Sequence, residues 1–302
     1  MRTDRPVVVW GFADEYARQT EGKAIASHAY IHAGYAKAFT ALGFNTYWRD
    51  DAEASEVMPD NAIIFCMNCR ADHLPYRPDL FYVGHNLEPK QTDRIDPSRR
   101  IGLQYLFKDC PGEPQGCDYV KWNATDRTLY MPWASDLLPS EIDYEVYMPH
   151  SNVVYWVGSV WNEAGMGNEV EIGELRGALA KHNIELKVVR ALDKDHAEYI
   201  RQSRFAPAMQ GRWQIDKGYI PCRAFKNASY GQMVVTNNPA VRDLFEGHCV
   251  YGDTIPAMVD AAAAACCAGR RAMTLAGMKI VRGRHCYMHR VESLMKIVDT
   301  LA

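Results

Sequence analysis

The chain has 302 residues, which is long for one hydrophobic core, so two domains of ordinary size are expected. Hydrophobic residues make up 48% and the formal net charge is −3, a globular balance that excludes a disordered chain and gives no reason to expect a nucleic-acid partner. Neither the apolar run Val7–Trp10 nor the alanine-rich stretch 261–268 is long enough for a signal peptide or a membrane span, so a soluble, cytoplasmic protein is expected.

In chain order, Val7–Trp10 reads as a strand, and 27–42 as a helix with Ser27 at its start and Gly43 as its stop. Further strands are expected over Asn45–Arg49, Ala62–Phe65, Phe81–Gly84 and Leu103–Phe107. This alternation favours a parallel sheet covered by helices. The pattern lapses between Trp133 and Ser151, where Pro139, Pro149 and acidic residues suggest a linker. It then resumes with the apolar strand Val153–Val157, a helix over Glu169–His182, a strand over Ile184–Val189 and a helix over His196–Gln202. Residues 257–268 and Tyr287–Leu301 read as helices. The fold class expected is α/β, with two Rossmann-like domains and a ligand cleft between them. Their bounds are 1–138, a linker over 139–151, and 152–302 including the closing helix.

The nine cysteines are scattered. Cys66 and Cys69 have C-x-x-C spacing with no second pair to complete a zinc site, Cys110 and Cys117 bracket a Pro/Gly loop, and Cys266-Cys267 read as helix packing. His28 and His32, four apart on one helix face, lack a third ligand, so no metal site is expected.

The richest segment is 216–238, D-K-G-Y-I-P-C-R-A-F-K-N-A-S-Y-G-Q-M-V-V-T-N-N. Gly218 makes a turn, Pro221 suits the first turn of a helix, and Gly231 leads into a strand over Met233–Val235. Arg223 and Lys226, at i and i+3, share a helix face near free N–H groups, a pattern suited to holding a phosphate or diphosphate.

This segment, together with the strand-to-Gly158-Ser159 turn, T-N-N-P-A-V from Thr236, C-Y-M-H-R-V-E-S-L from Cys286 and, more loosely, Y-M-P-W-A-S-D-L-L-P from Tyr130, resembles GT-B-fold glycosyltransferases of the small single-chain kind. The stretch Tyr219, Ile220, Pro221 through Asn227 resembles the donor helix of fucosyltransferases. The resemblance implies that the second domain binds a UDP- or GDP-linked sugar and the first a glycan or other hydroxyl acceptor. Arg223 and Lys226 would take the diphosphate, with Asn227 supporting the loop and Gly158-Ser159 allowing close backbone approach. Retaining members carry two glutamates where this chain has Gly218 and Lys226, which points to an inverting enzyme.

A metal-free transferase needs cations at the departing diphosphate, and Arg190, at a strand end, is a third candidate beside the weaker Gln210 and Lys217. No metal or cofactor beyond the donor is called for. An inverting enzyme also needs a base, and residues following strands are the candidates. Asp72 and His85 lead, ahead of Asp14, Glu15, His73 and Glu88. The alternatives are a sugar-nucleotide-modifying enzyme, although no G-x-G-x-x-G follows the first strand, and a non-catalytic binding module that keeps Arg223 and Lys226 without a base.

Overall fold

The structure is a computed structural model that describes residues 4–18, 27–50, 58–67, 70–111, 119–163, 166–190, 193–265 and 267–301. Cys69, Cys117 and Cys266 of the cysteine pairs, and Asn68 of the loop before Asp72, lie outside the described residues. Six described cysteines, Cys66, Cys110, Cys222, Cys249, Cys267 and Cys286, are free thiols.

The chain divides into two compact units. Unit 1 takes Met1–Tyr105, Cys110–Met131 and Tyr287–Ala302, and unit 2 takes Leu106–Asp109 and Pro132–Cys286. Residues 139–151, expected as a linker, therefore lie inside unit 2, where Ile142 is buried and the Tyr147 N–H donates to the Gly231 carbonyl (2.9 Å). The closing helix, Tyr287–Leu301, groups with unit 1 rather than with the second half.

Unit 1 begins with β1 (Val7–Trp10), the short α1 (Ala13–Ala17), α2 (Ser27–Ala41), β2 (Thr46–Arg49), β3 (Ile63–Met67), β4 (Phe81–His85), α3 (Pro89–Thr92) and β5 (Arg100–Gln104). Two further short strands, β6 (Lys121–Asn123) and β7 (Thr128–Tyr130), complete a seven-stranded sheet of order β2-β1-β3-β4-β5-β7-β6. It is parallel except for the β6–β7 pair. Strands β1, β3 and β4 are buried along their whole length, which is why they read as unbroken apolar runs rather than alternating ones. Where α2 meets the closing helix, Gly34 lies against the Tyr287 ring, and any Cβ there would collide with it. The expected strand Leu103–Phe107 sits three residues too late. In β5 Ile101 and Leu103 face inward, while Tyr105 and Phe107 are core residues beyond the strand end.

Unit 2 runs β8 (Val153–Val157), the small hairpin β9 (Asn162–Glu163) and β10 (Met166–Gly167), α4 (Glu169–Ala180), β11 (Glu185–Val189) and α5 (Asp193–Gln202). Then come β12 (Ala206–Pro207), α6 (Arg212–Asp216), α7 (Cys222–Ser229), β13 (Val234–Thr236), α8 (Pro239–Leu244), β14 (Val250–Tyr251), α9 (Ile255–Ala264) and α10 (Cys267–Arg284). The ladders β11-β8 and β12-β13-β14 are both parallel. They meet at a seam where the Arg204 N–H donates to Val153 O (2.8 Å) and the Tyr155 N–H to Ser203 Oγ (3.0 Å). The spatial order β11-β8-β12-β13-β14 thus repeats, in chain terms, the β2-β1-β3-β4-β5 order of unit 1, the doubly wound arrangement of an α/β sheet. Its core is built from Val154, Trp156, Leu175, Phe205, Val235 and Met258. The single helix expected over 257–268 is two: α9 ends at Ala264, Ala265 is extended (ψ 120°), and α10 begins at Cys267.

Candidate functional site

In doubly wound sheets ligands bind at the carboxyl ends of the strands where the order reverses. In unit 2 that point lies between β8 and β12, and β8 runs into Gly158. Gly158 has φ +142°, and a Cβ built on it would stand 2.6 Å from Arg223 Nη2. The missing side chain lets the Arg223 guanidinium lie directly on the strand end. It stacks 3.6 Å from the centroid of the Trp156 ring and donates from Nη2 to Val157 O (3.2 Å).

The turn after β8 is fixed from several sides. Trp156 Nε1 (3.3 Å) and Asn168 Nδ2 (3.1 Å) both donate to the Ser159 carbonyl, and Arg190 Nη2 donates to Ser159 Oγ (3.0 Å). The structure therefore brings Gly158, Ser159, Arg190 and Arg223 together. Burial lowers the Arg223 pKa, with Cys222 and Tyr219 acting in the opposite sense, and no carboxylate figures among its electrostatic neighbours. A guanidinium stays charged even so. Arg223 is thus a half-buried cation without an anion beside it, in the first turn of a helix, and an oxyanion ligand would complete it.

The segment that delivers α7 is held by an amide network. Gln210 Nε2 (2.8 Å) and Asn238 Nδ2 (3.1 Å) donate to the Tyr219 carbonyl, and Asn238 Nδ2 also donates to Gln210 Oε1. Asn237 exchanges two bonds with the Gln210 backbone, and Trp133 Nε1 donates to the Tyr219 hydroxyl (2.9 Å). Ile220 is fully buried, and Pro221 is the residue before the helix (φ −76°, ψ 146°) rather than a member of its first turn. Tyr219, Ile220 and Pro221 therefore position α7. Asn227 is buried, its amide donating to Pro207 O (3.3 Å), so it ties α7 to β12. Lys217 is exposed, and its carbonyl accepts from Lys108 N–H (3.1 Å).

Lys226 has a different partner from Arg223. Its Nζ lies 3.4 Å from Asp136 Oδ2, with the two side chains 11% and 19% exposed, and the Tyr230 hydroxyl also donates to that carboxylate (2.8 and 3.0 Å). Burial would raise the Asp136 pKa, but the Lys226 charge and the Tyr230 bond outweigh it, and the carboxyl sits below its usual range. The shared grip expected from the i, i+3 spacing is accordingly corrected: Asp136 offsets Lys226, and Arg223 is the cation left open. Sequence reasoning missed both Asp136 and Trp156, and neither carries a local signal for its role.

In unit 1 the expected bases follow β3 and β4. Asp72 is exposed, accepts from Gln91 Nε2 (2.9 Å) and lies 3.5 Å from Lys90 Nζ. The Gln91 bond, helped by Lys90, lowers its pKa, so it is ionised at neutral pH. His85 closes β4, buried, edge-on to Tyr105 (centroids 4.5 Å apart). Burial, then the neighbouring His28 and His32, push its pKa down to about 3. His32 is likewise pushed to about 3 and packs against Phe12 and Phe65. Glu15 pairs with Arg70 (3.3 Å), the Asp14 N–H donates to Asp50, and Glu88 caps α3.

Residues 148–296 match the model of a protein family described as glycosyl transferase-like. The matched stretch contains β8, the Gly158 turn, the amide network and Arg223. The match supports glycosyl transfer in general, and with it a sugar donor and an acceptor. None of the curated proteins matches the chain. Among the described residues, no helix is long and apolar enough to cross a membrane.

Proposed function

We propose that the protein is a GT-B glycosyltransferase that moves a sugar from a UDP- or GDP-linked donor to a glycan or other hydroxyl acceptor, with inversion and without a metal. The observation that carries the reading is Arg223: a cation stacked on Trp156, with no carboxylate among its neighbours, at the carboxyl end of the strand where such sheets bind ligands. Unit 2 would hold the donor, its diphosphate on Arg223 and on the N–H groups of the first turn of α7, with Arg190 and the Ser159 hydroxyl beside it. Lys226, offset by Asp136, would hold the base of that helix.

In the step proposed, the acceptor oxygen bonds to the anomeric carbon as the bond to the diphosphate oxygen breaks. The electron pair leaves with the diphosphate, where Arg223 offsets the growing charge. The acceptor hydroxyl proton passes to a carboxylate or imidazole base. Of the two expected bases, Asp72 is ionised and accessible, whereas His85 is enclosed and weakly basic. The test is release of nucleoside diphosphate from a panel of UDP- and GDP-sugars in the presence of glycan acceptors. The reading expects release from one nucleotide class and a product of inverted anomeric configuration. Failure to release or bind any nucleoside diphosphate would end it.

A further inference from the structure

A cavity lies at the end of β8 opposite the Gly158 turn. Met148, Pro149 and His150, on the approach to that strand, and Cys267, Arg270 and Arg271, within the first five residues of α10, line a space of about 360 Å³. The five residues of β8, at about 3.3 Å each, put roughly 16 Å between this end of the strand and the Gly158 turn. The cavity is therefore separate from the Arg223 site.

Its charge is unbalanced. Arg270 is 9% exposed, and its Nη2 donates to the Arg204 carbonyl, but its Nε has no hydrogen-bond partner among the described residues. Its electrostatic neighbours are Arg204 and Cys267, with no carboxylate. Arg204 donates to Asn152 Oδ1 (2.9 Å), not to an acid, and Arg271 is exposed beside the opening. Burying a guanidinium without an anion is strongly unfavourable. The N-terminal end of an 18-residue helix adds the positive end of its dipole. Met148, Pro149 and Cys267 supply apolar walls.

We propose that this cavity is a second ligand site, taking a small oxyanion, phosphate ester or carboxylate, carried on an apolar body, with Arg270 and Arg271 as its charge partners. The proposal does not depend on the donor site or on glycosyl transfer. Cys267 gives a local readout, because an occupied cavity shields its thiol. The rate of iodoacetamide alkylation at Cys267, followed by mass spectrometry, should fall several-fold in millimolar inorganic phosphate or butyrate, and not in chloride of equal ionic strength. Protection by phosphate alone would assign phosphate esters, by butyrate alone carboxylates, and either supports the site. Arg271→Glu, at an exposed position, should abolish the protection, as should Arg270→Gln, while Arg223→Met should retain it. Unchanged alkylation in both anions, or protection that survives Arg271→Glu, would overturn the proposal.

Discussion

Gly158→Ala tests whether the end of β8 is built around Arg223. The new methyl would stand 2.6 Å from Arg223 Nη2, inside contact distance, and φ +142° is a conformation that side-chain-bearing residues rarely adopt. Backbone strain of this kind costs about 1–3 kcal/mol, and each kcal/mol lowers the melting temperature of a domain this size by about 2–4 °C. The clash itself is relieved by moving the guanidinium, which loses its bond to Val157 O and its seat on Trp156. A hydrogen bond from a charged group is worth about 1.5–3 kcal/mol, so nucleotide affinity should fall by roughly 10- to 150-fold. Isothermal titration with the preferred nucleoside diphosphate, beside a thermal melt, measures both effects. A variant that melts a few degrees lower yet binds nucleotide as the wild type does would refute the reasoning, since Arg223 would then bind no ligand at that position.

Asp136→Asn should destabilise unit 2 by about 3 kcal/mol, because it leaves the Lys226 charge buried without its anion, and Asp136→Asn with Lys226→Met should recover part of the loss in denaturant titrations. The folded-state pKa of Asp136 is depressed, so its contribution is present above the unfolded value of about 3.9 and is lost as pH falls through the folded value. A stability profile below about pH 4 should thus be flatter in Asp136→Asn than in the wild type. His32 shows linkage of the same sign in a higher pH window. With its folded pKa pushed to about 3 it stays neutral in the native state while the unfolded chain takes up a proton. Each such histidine costs about 1.4 kcal/mol per pH unit below about 6.5, and His32→Phe should reduce that slope between pH 6 and 4, as urea midpoints at each pH would show. Gly34→Val should force α2 from the Tyr287 ring and cost about 1–3 kcal/mol, seen as a lower melting temperature.

Much of the fold was legible where local pattern and burial agree. The runs V-V-V-W and V-V-Y-W-V are β1 and β8 to the residue, and Tyr287–Leu301 is a helix as read. Reading failed where tertiary packing sets the boundary. The stretch A-A-A-A-A-C-C-A contains no glycine or proline to mark the break at Ala265, and α10 was missed beyond its start. At the site, Arg223 was legible because a proline, a helix start and a cation are close in sequence. The pairing of Lys226 with Asp136 joins residues ninety positions apart, and periodicity cannot report which carboxylate a lysine will meet. Trp156 was read as one more core residue of a strand, a role it has, while its ring also carries Arg223.

The central claim is that Arg223 marks a nucleoside-diphosphate site. Titrating UDP, GDP, TDP and CMP into the wild type and into Arg223→Met tests it most directly. The account predicts that UDP or GDP binds the wild type, and that affinity falls at least about tenfold in Arg223→Met, with the fold intact by circular dichroism. Equal binding to both proteins, or no binding of any nucleotide to the wild type, would contradict it.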